Sequence, residues 1–116
     1  MPRRKLEPLP SVAFHILLAL MDRPLHGYAI MRQVAEETED RMRLGPATLY
    51  GSIQALLEGG LIEDVDAPAG DQSGSERRRF YRITAAGRKT AREEAERLAR
   101  VLRVARDKKI LRGEYV

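Results

Sequence analysis

The chain has no cysteine and no tryptophan, and only two histidines and two phenylalanines in 116 residues. Without cysteine there can be no disulfide, no thiol nucleophile and no cysteine-held zinc, and the composition fits a reducing compartment, so a cytoplasmic location is expected. The two histidines, His15 and His26, have no second ligand at helical spacing. No metal site and no cofactor are therefore expected, and His26 suits a cap or packing position beside Gly27. Long apolar runs are also missing. The longest uncharged and largely apolar stretch, Leu9 to Met21, falls short of the roughly 20 residues that span a bilayer. Arg3, Arg4 and Lys5 precede it, but Glu7, Pro8 and Pro10 interrupt it and no small-residue cleavage pattern follows. Neither a membrane partner nor a secretion signal is expected.

Groupings that carry catalysis are absent too. Glu36, Glu37, Glu39 and Asp40 form an acidic run that reads as a solvated helix face, because no nucleophile accompanies it. Ser52 and Ser73 have no base partner, and Gly59-Gly60 is not followed by the lysine and serine of a phosphate loop. An enzyme is not expected.

What is present is enough apolar material to fold. Hydrophobic residues make up 43% and charged residues 33% of the chain, which fits a folded rather than a disordered protein, and its 116 residues suit one domain with an appended element. Twenty-one basic residues face seventeen acidic ones, a net charge of +4; this is a modest bias toward polyanions whose meaning depends on where the charges fall.

Residues 1–10, with three prolines and the Arg3-Arg4-Lys5 triplet, read as a basic extended arm. From Ser11, a good N-cap, Val12 to Met21 is apolar nearly all round and predicts an enclosed helix that Arg23-Pro24 ends. A second helix is predicted from near Gly27, with Ile30, Met31, Val34 and Thr38 on one face. Proline at a first helical position costs no hydrogen bond, so Gly45-Pro46 opens a third helix. Its buried stripe is Leu49, Ile53, Leu56 and Leu57, and the left-handed residues Gly59-Gly60 end it. Leu61 to Val65 and Arg77 to Thr84 predict two strands around a loop from Ala67 to Ser75, with Phe80 and Tyr81 on opposite faces. Thr84 can cap a last helix whose residues Ala91, Ala95, Leu98, Leu102 and Ala105 alternate spacings of four and three. That seam needs a helical partner, and the economical one is a second copy of the chain.

The resulting fold class is mostly α with a small β hairpin: a winged helix-turn-helix over residues 11–84, followed by a C-terminal dimerisation helix over 85–112. In such a motif the third helix enters the DNA major groove. Its face opposite the leucines is small and polar. Ala47 and Gly51 let the backbone approach base edges, Gln54 can bond adenine bidentately, and the methyl of Thr48 or Ala47 can touch thymine. The free amides at the helix start suit a phosphate. Arg77, Arg78 and Arg79 on the returning strand suit phosphates or a minor groove, although a basic strand also serves to protect a sheet edge.

Three segments carry a resemblance to a known family: Leu25-His-Gly-Tyr-Ala-Ile30, then Gly45-Pro-Ala-Thr-Leu-Tyr-Gly-Ser-Ile-Gln-Ala-Leu-Leu-Glu-Gly-Gly-Leu-Ile62, then Arg79-Phe-Tyr-Arg-Ile-Thr-Ala-Ala-Gly87. Together they span most of residues 11–90 and resemble the PadR family of bacterial transcriptional regulators. The resemblance implies a homodimeric winged-helix repressor whose C-terminal helix makes the dimer, a promoter as target, and often a small phenolic or drug-like inducer. Thr48, Tyr50 and Gly51 match the family's recognition-helix motif, Tyr28 matches its tyrosine near the start of the second helix, and Arg79 to Thr84 match its wing. The single short closing helix resembles the smaller members. Some of those hold planar aromatic compounds between subunits with the help of a tryptophan that this chain lacks.

The expected partners are thus double-stranded DNA with a palindromic operator, a second copy of the chain, and a small aromatic effector. The effector would sit in an apolar pocket at the dimer interface lined by Phe14, Leu98, Val101 and Leu102. The alternative is a winged-helix module that binds a protein partner without specific DNA recognition.

Overall fold

The computed structural model describes residues 6, 8–68 and 79–111. The basic triplet Arg3 to Lys5, the loop residues 69–75, Arg77, Arg78 and residues 112–116 lie outside the described residues.

A helix that is apolar on every side must be enclosed, and α1 (Ser11–Ala19) is packed against all three other helices found among the described residues. Ile16 and Leu17 are completely buried, and the apolar run continues past the helix into Leu20, also buried. Ser11 is the first helical residue rather than the cap. Pro10 precedes it in extended backbone, and its carbonyl accepts from the Phe14 N–H at 2.9 Å. Pro10 offers no side-chain acceptor, so no side chain caps the first amides of α1.

After the break at Pro24, α2 (Gly27–Glu37) turns Ile30 and Val34 fully inward, with Met31 and Thr38 half-buried beside them. The turn that follows is built by Thr38. Its hydroxyl donates to the Val34 carbonyl at 2.8 Å and accepts from the Met42 N–H at 3.0 Å. Glu39 and Asp40 both adopt left-handed backbone, φ 53° and 64°, a conformation that non-glycine residues take only when surrounding bonds hold them there. Leu44 then drops into the core and α3 (Pro46–Glu58) begins with proline in its first turn, burying Leu49, Ile53 and Leu56. Of the two glycines that end α3, only Gly60 is left-handed, at φ 74°; Gly59 remains in helical backbone.

The hairpin is narrower than its sequence pattern suggests and the sheet is wider. Strands β2 (Ile62–Val65) and β3 (Phe80–Ile83) pair antiparallel, Ile62 opposite Ile83 and Val65 opposite Phe80. A two-residue strand β1 (Leu25–His26) adds to the other edge of β3, giving the order β1-β3-β2. The small hairpin of the expected fold class is therefore a three-stranded sheet. Alternation along β3 places Tyr81 and Ile83 on the core, while Phe80 faces the other way and is still buried, edge-on to His26 at 5.3 Å. The last helix, α4 (Ala85–Asp107), starts where expected, with the Thr84 hydroxyl accepting from the Gly87 N–H at 3.0 Å.

Candidate nucleic-acid interface

The amphipathic spacing of α3 separates two faces. Inward are Leu49, Ile53 and Leu56; outward are Ala47, Thr48, Gly51 and Gln54, all exposed. A Cβ at Gly51 would meet nothing within 4 Å, so there is open space in front of this face at that point. The start of α3 is open as well. Gly45 precedes it without a side-chain cap, whereas α2 and α4 are capped by His26 and Thr84. Uncapped amides at a helix N-terminus favour an anion.

Two tyrosines flank the beginning of this face. Tyr28, in the first turn of α2, is 58% exposed, and the Arg32 guanidinium lies 5.9 Å from its ring centre. Tyr50 is 52% exposed but is not free of the fold, because its ring lies across Gly27. A Cβ at Gly27 would come within 2.6 Å of the Tyr50 hydroxyl, so the glycine gives the Tyr50 ring room to lie there. His26 fixes the entry to α2 by accepting from the Ala29 N–H at 3.1 Å through Nδ1, which places any proton of a neutral ring on Nε2.

Behind Tyr50 lies the root of the wing. Burial, then the Asp64 carboxylate and, more weakly, Tyr50 push the Tyr81 hydroxyl above its usual range, with Arg79 opposing. Asp64 stands opposite Tyr81 in the sheet and pairs with Arg79 at 3.8 Å. Arg79, an expected DNA contact, thus already has an acidic neighbour in the free chain. Both side chains are more than half exposed, and such a pair contributes about 1 kcal/mol at most. Arg82 is held by Glu63 on the sheet's outer face, with two bonds of 2.9 and 3.1 Å to one carboxylate oxygen. Sequence reasoning did not single out Arg32 or Asp64. Arg32 had a readable signal, lying four residues after Tyr28 on a helix; Asp64 had none, since its partner is fixed by strand register across a long loop.

The seam residues divide along α4. Ala91, expected at the dimer interface, is 2% exposed and belongs to the core of its own chain. It has no surface left for a partner, because α4 starts against the sheet and packs on α1 for its first turns. Leu98 leans on the same core, Leu102 and Ala105 are half-buried, and Ala95 is exposed. Beyond them Val101, Val104 and Ile110 are 50%, 53% and 76% exposed. The proposed effector pocket is similarly split. Phe14 is sealed in the core while Val101 faces solvent, so a single chain does not bring these two to one space. Glu94, one of the few buried charged groups described, accepts two bonds from Arg97 at 2.7 and 2.9 Å. The hydrogen bond to Arg97 holds its carboxyl below the usual range. Among the described residues no cluster of acidic or histidine side chains is placed to hold a metal ion, and no helix is long and apolar enough to cross a membrane.

Three helices, a small antiparallel sheet and an outward third helix define a winged helix-turn-helix protein. Residues 16–93 match the model of the transcriptional regulator PadR-like family, and the chain belongs to that family. The family is one of transcriptional regulators and not of enzymes. A transcriptional regulator from Clostridium thermocellum has a similar structure, with TM-score 0.72 and 25% identity over 86% of this chain and 90% of that one. Bacillus subtilis PadR, solved in complex with operator DNA, shares the fold at TM-score 0.59 and 20% identity, over 72% of this chain and 47% of that one. A protein of unknown role in a Streptomyces fradiae transposon is 37% identical over 86 residues. The chain spans 22% of the length of that relative and 64% of another, from Lysinibacillus sphaericus.

Proposed function

We propose that the chain is a sequence-specific DNA-binding regulator that works as a dimeric repressor. The observation that carries this reading is the outward face of α3, where Ala47, Thr48, Gly51 and Gln54 are exposed and nothing stands in front of Gly51. A helix enters the major groove when its outward side chains are short enough for the backbone to approach the base edges. Gln54 is the base-reading side chain, suited to adenine; Thr48 and Ala47 offer methyl contacts to thymine. Tyr28 and Tyr50 border the phosphates at the near edge, and the open start of α3 adds backbone donors. Arg79 lies at the base of the wing, and Arg77 and Arg78, outside the described residues, extend the same basic run. That a PadR protein of the same fold was solved on operator DNA supports this docking.

Two copies join through the distal half of α4, with Leu98, Leu102 and Ala105 at the centre, Ala95 at one edge and Val101 at the other. Such a dimer reads a palindrome whose half-sites lie about 10 base pairs apart or a multiple of that. A small aromatic effector entering between the paired helices beside Leu98, Val101 and Leu102 would relieve repression only if it bound one separation of the recognition helices better than another. A planar compound that shifts the melting point and changes operator affinity by the same factor in both directions would identify it.

Selection of bound sequences from a random DNA pool tests the reading directly. A palindromic motif should be enriched, and Gln54→Ala should flatten one of its positions at a cost of roughly 1–3 kcal/mol on the preferred site. Absence of any enriched motif, together with a partner complex indifferent to salt, would favour the protein-binding module instead, because neutralising DNA phosphates releases counterions whereas an apolar protein interface does not.

A further inference from the structure

A helix tethered by a flexible linker transmits no direction to its domain, whereas one anchored through its first turn does, and α4 is anchored. Thr84 touches the turn that leaves α3 twice. Its N–H donates to the Leu61 carbonyl at 3.1 Å, and its hydroxyl donates to the Gly60 carbonyl at 2.7 Å. The same hydroxyl oxygen accepts from the Gly87 N–H at 3.0 Å, so one atom bridges the exit of the third helix and the entry of the fourth. The acceptors are themselves held: Gly60 is in left-handed backbone, and the Leu61 N–H donates back to the Leu56 carbonyl at 2.9 Å. Gly87 closes the contact, since a Cβ there would run into the Leu61 carbonyl oxygen and the Ile83 side chain. On the other side Arg88 donates to the Met21 carbonyl at 3.0 Å, and Ala91 is buried one turn later.

We infer that Thr84 is a positioning residue that sets the direction of α4 relative to α3, and through the paired α4 helices the separation at which two recognition helices meet DNA. This rests on the dimeric, DNA-reading function proposed above. The lever is long. At 1.5 Å per residue, Leu98 and Leu102 lie about 20–26 Å from the start of α4. A tilt of about 10° at Thr84 therefore moves the seam by about 4 Å, close to one base-pair step.

The test uses the full chain on DNA carrying two copies of the selected half-site, their separation varied one base pair at a time. Thr84→Val keeps size and branching but loses both hydroxyl bonds; Thr84→Ser restores the hydroxyl. Wild type and T84S should share one separation optimum. T84V should bind an isolated half-site within about twofold of wild type while its optimum flattens or shifts by about one base pair. If T84V proves unfolded by circular dichroism, Arg88→Ala removes the opposite brace at an exposed position and should broaden the same optimum. A spacing profile identical to wild type in the folded variant, or an equal loss on single and paired half-sites, would overturn the inference while leaving the DNA-reading function standing. A wild-type chain with no separation preference would overturn the dimeric reading and this inference together.

Discussion

Helix α3 turns its leucine stripe fully inward, whereas the distal half of α4 leans on the core only through Leu98, and the two leave opposite kinds of surface outside. On α3 the outward residues are Ala47, Thr48, Gly51 and Gln54, small or polar and backed by open space. On α4 they include Val101, Val104 and the uncovered parts of Leu98 and Leu102, beside exposed arginines such as Arg100 and Arg103. The first surface gains little from leaving water and much from close approach to a polar, grooved partner; the second gains mainly by excluding water against another apolar face. One chain thus carries two faces with different requirements. The proposed division of labour, DNA on α3 and a second copy on α4, follows from that contrast.

The comparison breaks most visibly if the apolar face is made charged. Leu98 also leans on the core of its own chain, so Val101→Asp with Leu102→Asp is the cleaner change. Association should weaken by about 3 kcal/mol or more, giving monomer by sedimentation. A dimer surviving both substitutions would move the interface elsewhere. The converse change enlarges the small face. Gly51→Leu places a side chain where the fold has room, so the melting temperature should hold or rise, because leucine favours a helix over glycine by up to about 1 kcal/mol. Binding to the selected site should nevertheless fall at least about tenfold. Binding equal to wild type would show that α3 does not approach the bases.

A smaller and more uniform effect is expected at the wing. Arg79→Ala should lower affinity about equally on all sequences and reduce the salt slope by about one unit. An unchanged slope would leave Arg79 to its partner Asp64. The smallest effect concerns neither face. Arg97 holds the Glu94 carboxyl below the ordinary carboxylate range. The pair therefore stabilises the fold fully above that range and loses its contribution as pH falls through the depressed folded value. Glu94→Gln should lower the melting temperature slightly near neutral pH, and the difference should vanish in acid. A difference that persists at low pH would assign Glu94 a packing role instead.

Much of the fold was legible in local residues. Pro46 marks the start of α3, Thr84 caps α4, and the leucine spacing orients α3, because these signals act over one or two helical turns and need no distant partner. The outward face of α3 was legible for the same reason, as the complement of its buried stripe. Strand β1 was not: two residues, Leu25 and His26, carry no period of their own and become a strand only because β3 offers an unpaired edge. Nor was the attachment of Arg79 to Asp64, which depends on register across the wing. The seam of α4 shows the boundary most clearly. Its spacing states that one face must be covered, but Ala91 is covered by α1 and the sheet of its own chain while Val101 is left exposed. Periodicity is a property of the helix alone, and so the sequence determined which side of α4 is apolar. Which part of that side belongs to the core depends on where Thr84 and Gly87 seat the helix, and only the tertiary structure decided it.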